Sequence, residues 1–163
     1  LEQAGDEVVA CANYNAPGQV VIAGHRAAVE RVCDAASEAG ARRALPLPVS
    51  VPSHCFLMRD AAKSLAAVLE RIDVGTPGLP VWHNVDVTCH PHPGDIRNAL
   101  ERQLWQPVQW TRTIQALAEA GVSRFVECGP GRVLAGLNRR ILREAKPAAL
   151  VDEERIRKAA ADQ

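Results

Sequence analysis

The sequence has no excess of charge: Lys plus Arg and Asp plus Glu both number 19, for a formal net charge of zero. That balance argues against broad electrostatic binding to nucleic acid or to an anionic membrane. Two short stretches, RRAL (42–45) and NRRILR (138–143), leave room only for a local basic patch. No apolar run approaches the roughly 18 residues of a membrane span, and no signal-peptide pattern is visible. The C-x-x-C motif is missing. Five cysteines at 11, 33, 55, 89 and 128 form an odd set whose spacing fits neither a zinc ribbon nor a disulfide framework. Reduced thiols in a cytoplasmic setting follow as the expectation. There is no internal repeat, no low-complexity segment and no initiator methionine. LEQAGDEVVACANYN reads as the tail of a helix entering a strand, so the chain is expected to have been cut there.

What is present suits a packed core, with 47% of the 163 residues hydrophobic. VVACANYN (8–15) reads as a strand, APG (16–18) as a turn and QVVIAG (19–24) as a buried strand. In residues 26–40, Val29, Val32, Cys33 and Ala36 recur at helical spacing and Gly40 stops the helix. Residues 41–49 return as a strand whose prolines suit an edge. The order β-β-α-β is that of the later part of a ferredoxin-like unit, and a helix tail at residues 1–4 would belong to its missing first part.

From there helices and strands alternate. The pattern predicts a helix over 53–72 with Leu57, Ala61, Leu65, Val68, Leu69 and Ile72 on one face. It then predicts a loop at 73–78, a buried strand at 79–85 and an irregular loop at 86–95. A helix over 95–105 buries Ile96, Ala99, Leu100 and Leu104, and a helix restarting at 106–110 stops at Gly121. A strand at 122–128, the turn GPG (129–131) and a helix over 132–143 with Val133, Leu134, Leu137 and Ile141 inward complete the reading. The alternation indicates parallel α/β architecture.

His54, in PLPVSVPSHCFLM (46–58), is the first candidate for chemistry. Placed at a helix start, its ring is held neutral by the positive end of the helix dipole, and a neutral imidazole accepts a proton from a nucleophile. A lone histidine at such a place is more often a cap or a satisfied surface residue. Ser53 and Cys55 are poor nucleophiles for their neighbour, because adjacent side chains on a helix start splay about 100° apart. The hydrolase elbow G-x-S-x-G is absent, and none of Ser37, Ser50, Ser53, Ser64 or Ser123 has that setting. If His54 is a base, its nucleophile lies outside this chain. CHPH (89–92), with His83 nearby, offers a metal-like cluster, but a proline-broken loop is the plainer reading. GPG (129–131) resembles a phosphate-cradling turn without the residues that complete one, and a packing turn is favoured. The pair Arg139 and Arg140 reads as a solvated helix face.

Five stretches in one order, NYNAPGQVVIAG (13–24), ALPLPVSVPSH (44–54), LPVWHNVDV (79–87), RQLWQPVQW (102–110) and ECGPGRVLAGL (127–137), resemble the malonyl-CoA:acyl carrier protein transacylases of bacterial type II fatty acid synthesis. The resemblance runs from about residue 8 to 143 and corresponds to the C-terminal half of that family. It implies that the family's G-H-S-L-G serine, its oxyanion-hole glutamine and the arginine for the malonyl carboxylate precede residue 1. It implies a fold in which residues 1–50 are an incomplete ferredoxin-like subdomain and 51–163 the C-terminal part of an α/β-hydrolase-like core.

The resemblance makes His54 the catalytic histidine and Gln103 the residue whose backbone carbonyl accepts its other ring proton. It also suggests Ser53 and Asn15 as substrate-binding residues, Ser53 beside the malonyl α-carbon and Asn15 at the mouth of the cleft. The implied reaction is ping-pong acyl transfer from malonyl-CoA to the phosphopantetheine thiol of acyl carrier protein, with no metal or redox cofactor. The implied whole protein is a monomer whose partners are malonyl-CoA and the carrier protein, and the 163 residues alone are expected to be inactive. Two rivals stand beside it: an acyltransferase domain of polyketide-synthase type, and a non-catalytic carrier-binding module in which Arg42, Arg43, Arg139 and Arg140 meet an acidic carrier.

Overall fold

The structure is a computed structural model that describes residues 7–144 and 147–161. The helix tail expected at residues 1–4 lies outside the described residues. Backbone contacts divide the chain into two compact units, residues 7–14 with 20–109, and residues 15–19 with 110–161.

In the first unit, β1 (Val9–Ala16) and β2 (Gln19–Gly24) pair across a two-residue turn. Gly18 there has φ +72°, a conformation that glycine adopts without steric cost and that a Pro-Gly turn requires. The tip of this hairpin, residues 15–19, counts with the second unit. α1 (Arg26–Glu38) packs Ala28, Val29 and Val32 against Val9 and Ile22. Its face is the one the periodicity predicts. Gly24 lets β2 pass close to β1: a Cβ built there would stand 2.2 Å from the carbonyl oxygen of Val8.

The expected strand at 41–49 does not form. Pro46 and Pro48 remove two donors from any ladder, and tight local bonds take others, Val49 N–H to the Leu47 carbonyl at 2.8 Å and Ser53 N–H to the Val51 carbonyl at 2.9 Å. Leu45, Leu47, Val49 and Val51 are left exposed. The helix expected from residue 53 starts later, as a single 3-10 turn at Phe56–Met58 leading into α2 (Arg59–Leu69). Its inward stripe holds Ala62, Leu65, Ala66 and Leu69, while Leu57, Ala61, Val68 and Ile72 face solvent. Leu65 and Leu69 are inward as predicted, and Ala62 and Ala66 complete the stripe in place of Ala61 and Val68, since 62, 65, 66 and 69 keep the i, i+3, i+4, i+7 spacing.

Residues 79–85 supply only the two-residue β3 (Trp82–His83), which pairs antiparallel with β4 (Thr88–Cys89) inside the stretch expected to be a loop. α3 (Pro93–Arg102) opens with proline in its first turn, where the missing N–H costs nothing, and buries Ile96 and Ala99. Arg97 joins α3 to α2: its guanidinium donates to the Leu69 carbonyl at 2.9 Å and to the Ile72 carbonyl at 2.8 Å. The Leu69 carbonyl closes α2 and also accepts the Ile72 N–H at 3.2 Å, and Ile72 lies three residues beyond the helix. After α3 the chain runs beside β1. Val108 N–H donates to Ala12, Tyr14 N–H to Val108, and Gln109 N–H to Asn84.

In the second unit, α4 (Trp110–Glu119) is followed by β5 (Val126–Cys128), α5 (Val133–Ile141), β6 (Ala148–Leu150) and α6 (Glu153–Ala161). β5 and β6 pair parallel, Val126 opposite Ala148 and Cys128 opposite Leu150. Among the described residues this is the one pair of strands that follows the expected parallel arrangement. α5 buries Ala135, Leu137 and Asn138, while Val133 and Leu134, expected inward, are exposed. Asn138 is buried because it has a partner: its Oδ1 accepts the Trp110 indole N–H at 3.0 Å.

Candidate functional site

His54 sits in the turn before the 3-10 helix, five residues ahead of α2, and not at the start of the helix as its sequence setting predicts. Its backbone has φ +62°, an uncommon conformation for a residue with a Cβ that costs on the order of 1–3 kcal/mol. Two carbonyls from the end of α3 hold it there. The His54 N–H donates to the Leu104 carbonyl at 2.9 Å. The ring Nδ1 lies 2.7 Å from the Gln103 carbonyl oxygen.

A carbonyl oxygen only accepts, so Nδ1 must carry the proton and Nε2 of the neutral ring must present its lone pair. Gln103 can serve because it caps α3, where the carbonyls have no intrahelical partner. The arrangement orients the imidazole as an aspartate does in a hydrolase triad, without a full negative charge.

His54 lines an open groove of about 410 Å³. Val21 and Val49 supply apolar wall, and Asn13, Ser50 and Ser53 supply polar groups. Asn13 lines this groove. It shares one face of β1 with Asn15 by the two-residue alternation of a strand, and Asn15 belongs to the hairpin tip. Ser50 lines the groove without having been singled out in the sequence. Cys55 is 1% exposed and belongs to the core.

Behind Gln103 lies a polar cluster of His83 on β3, Asp86 on the β3–β4 turn, His90 just after β4 and Arg102 on α3. The Gln103 side-chain Nε2 is 3.4 Å from His83 Nδ1. His83 is buried, and its ring lies 5.2 Å from that of His90. His90 Nε2 donates to Asp86 Oδ2 at 2.9 Å, and Arg102 donates to the same oxygen at 2.5 Å. Burial, then the neighbouring His90, holds the His83 pKa below the usual histidine value, with Asp86 opposing and Arg102 assisting. Burial pushes the Asp86 carboxyl up, but the hydrogen bonds from His90 and Arg102 outweigh it, and its pKa is lowered. CHPH (89–92) with His83 nearby is the sequence signal for this cluster, which the structure builds as hydrogen bonds to Asp86.

The other candidates have structural partners. No group of three or more His, Cys, Asp or Glu side chains able to hold a metal ion occurs among the described residues. His90 of CHPH is engaged with Asp86, and His92 precedes α3. At the GPG turn the start of α5 already has its anion: the Glu127 carboxylate accepts from Leu134 N–H at 3.2 Å and from Ala135 N–H at 2.7 Å. Arg140 is not a free surface cation, because it donates to Gln19 Oε1 and, at 3.2 Å, to the Pro17 carbonyl. All five cysteines are free thiols. No described helix is long and apolar enough to cross a membrane.

Comparison with known proteins matches residues 1–158 to the model of the acyl transferase domain. The malonyl CoA-acyl carrier protein transacylase of Salmonella typhimurium is 53% identical over 149 residues, 91% of this chain and 48% of that protein. The protein of the same name from Bacillus subtilis is 41% identical over 162 residues, 96% of this chain and 51% of that protein. Among solved structures, a malonyl-transacylase in complex with a type II PKS acyl-carrier protein superposes with a TM-score of 0.97 at 50% identity, over 99% of this chain and 52% of that one. An acyl carrier protein S-malonyltransferase from Vibrio cholerae gives a TM-score of 0.94 at 47% identity, over 97% and 52%. The mixed α/β fold is therefore the one these structures share. The chain spans about half the length of the curated relatives it matches, and it belongs to the acyl transferase domain family.

Proposed function

We propose that this chain is the histidine-bearing half of a malonyl-CoA:acyl carrier protein transacylase. The observation that carries the reading is the 2.7 Å contact between His54 Nδ1 and the Gln103 carbonyl, which leaves Nε2 of a neutral ring as an acceptor on a residue that lines a groove. A serine supplied by the remainder of the protein gives its proton to Nε2 as its oxygen attacks the malonyl thioester carbonyl. The C–S bond breaks, and the proton passes from Nε2 to the departing CoA sulfur. The pantetheine thiol of the carrier then gives its proton to Nε2, its sulfur attacks the seryl ester, and the C–O bond breaks. The proton returns to the serine oxygen. The exchange conserves charge and oxidation state, so it requires neither a metal nor a redox cofactor. In this reading Ser53 and Asn13, which line the groove, contact the acyl group, and Asn15 on the same strand stands at the mouth of the cleft.

In the same reading, residues 1–50 are the remainder of a ferredoxin-like subdomain and 51–163 the C-terminal part of an α/β-hydrolase-like core. The enzyme is a cytoplasmic monomer with no affinity for nucleic acid or membrane. A second carrier is favoured by one observation: the relative with a TM-score of 0.97 is bound to a type II PKS acyl-carrier protein. The chemistry at His54 is unchanged by that choice. To test the function, the complete protein is incubated with malonyl-CoA and a phosphopantetheinylated carrier, with and without His54→Ala. Loss of malonyl-carrier formation by about 10²–10⁴ with carrier binding retained supports the reading; unchanged behaviour points to a binding module.

A further inference from the structure

Gln103 has a second contact that general-base chemistry does not need. Its carbonyl faces His54, while its side-chain amide faces the buried ring of His83 at 3.4 Å. With its amide nitrogen toward the ring, Gln103 donates and His83 Nδ1 accepts, as the neutral tautomer bare at Nδ1 does. Of the groups around His83, His90 and Arg102 favour the neutral ring and Asp86 opposes it. His90 stands beside it, Asp86 lies on the connecting turn, and Arg102 reaches in from α3. Arg102 fixes the preceding residue of α3 to Asp86, so residues 102 and 103 are both tied to the β3–β4 hairpin.

We infer that His83 is a positioning residue: by accepting the Gln103 amide proton it fixes the turn whose carbonyl sets the tautomer and direction of His54. The inference rests on the transacylase reading for its kinetic consequence, but its geometric content does not. His83 touches no reacting atom. It acts through one residue that bonds in two directions, carbonyl to the catalytic ring and amide to the buried one.

The test compares two replacements of similar shape in the complete protein. His83→Leu leaves a carbon where Nδ1 was, and His83→Asn puts an accepting Oδ1 there. For His83→Leu, kcat for malonyl transfer falls roughly three- to tenfold, the worth of one hydrogen bond, with KM for malonyl-CoA unchanged. His83→Asn restores kcat to within about twofold. Gln103→Met breaks the same bond from the other side while keeping the carbonyl, and its loss does not add to that of His83→Leu; it stands in should His83→Leu fail to fold. Independently of turnover, ring ¹⁵N spectra of His54 show less of the Nδ1–H tautomer in His83→Leu and Gln103→Met, and the parent proportion in His83→Asn. A folded His83→Leu protein with parent kcat and an unchanged His54 spectrum overturns the inference, as does a folded His83→Asn protein that loses as much as His83→Leu. If the unsubstituted protein transfers no malonyl group, the functional reading fails, and the ¹⁵N comparison alone decides the role of His83.

Discussion

His54 and Gln103 are 49 residues apart in the chain and are joined by a 2.7 Å hydrogen bond from a ring nitrogen to a backbone oxygen. The acceptor is main chain, so it survives replacement of the Gln103 side chain. Gln103→Ala in the complete protein is expected to cost no more than roughly tenfold in turnover, the share of the side-chain contact to His83. His54→Ala costs about 10²–10⁴. Steady-state kinetics on the two variants measure the contrast, and equal losses contradict it.

The 163-residue polypeptide should take up no malonyl group. Cys55 is buried, Ser37 and Ser64 donate to backbone carbonyls of their own helices, and Ser53 adjoins the base in sequence. Intact mass after incubation with malonyl-CoA is expected to be unchanged. A stable malonyl adduct places a competent nucleophile within the chain itself, with Ser50 in the groove as the first residue to examine.

Gly24→Ala drives a Cβ to 2.2 Å from the Val8 oxygen and 2.7 Å from the Val9 Cα, both backbone atoms. Neither can rotate away, so the hairpin or α1 must shift. The cost is expected near the upper end for overpacking, about 3 kcal/mol, seen as a lowered thermal midpoint. Gly75→Ala has open space around it and serves as the neutral comparison.

Acid should weaken the fold in two separate windows. His83 gives up its proton more readily in the folded chain than in the unfolded one. As pH falls below about 6.5, the unfolded state binds more protons and stability declines until the folded ring also titrates. Asp86 has a lowered pKa, so its contribution is present above the ordinary carboxylate value and is lost as pH falls through the folded value. Urea unfolding from pH 8 to 3 should show both declines. His83→Asn should remove the upper one and leave the lower.

Glu127→Gln should lower stability by about 1 kcal/mol, as expected for losing a charged cap at the start of α5. Chemical denaturation with an unchanged slope checks it. Little effect would mean that water replaces the carboxylate there.

The sequence made the helical segments legible where one apolar face was continuous: α1, and α3 with Ile96 and Ala99 buried. It failed where backbone decides. Pro46 and Pro48 suit an edge strand, yet among the described residues no strand pairs with them, and local bonds replace the ladder. Val133 and Leu134 looked like core, but a polar contact rotates α5 so that Asn138 is buried under Trp110. At the site, His54 stood out by its residue type. The positive φ that aims it comes from two carbonyls, which carry no mark in a one-letter sequence. Gln103 was identified by family resemblance alone, and His83 gave no signal as its support, since burial and pairing are tertiary properties.

The central claim is that His54 is held as the Nδ1–H tautomer with Nε2 free to accept. The most direct measurement is the two-bond ¹H–¹⁵N spectrum of the His54 ring in the unsubstituted protein near neutral pH. The account predicts a pyrrole-like Nδ1 and a pyridine-like Nε2. A ring with Nε2 protonated and Nδ1 bare contradicts it, because such a ring could neither bond the Gln103 carbonyl nor receive a proton from a hydroxyl in the groove.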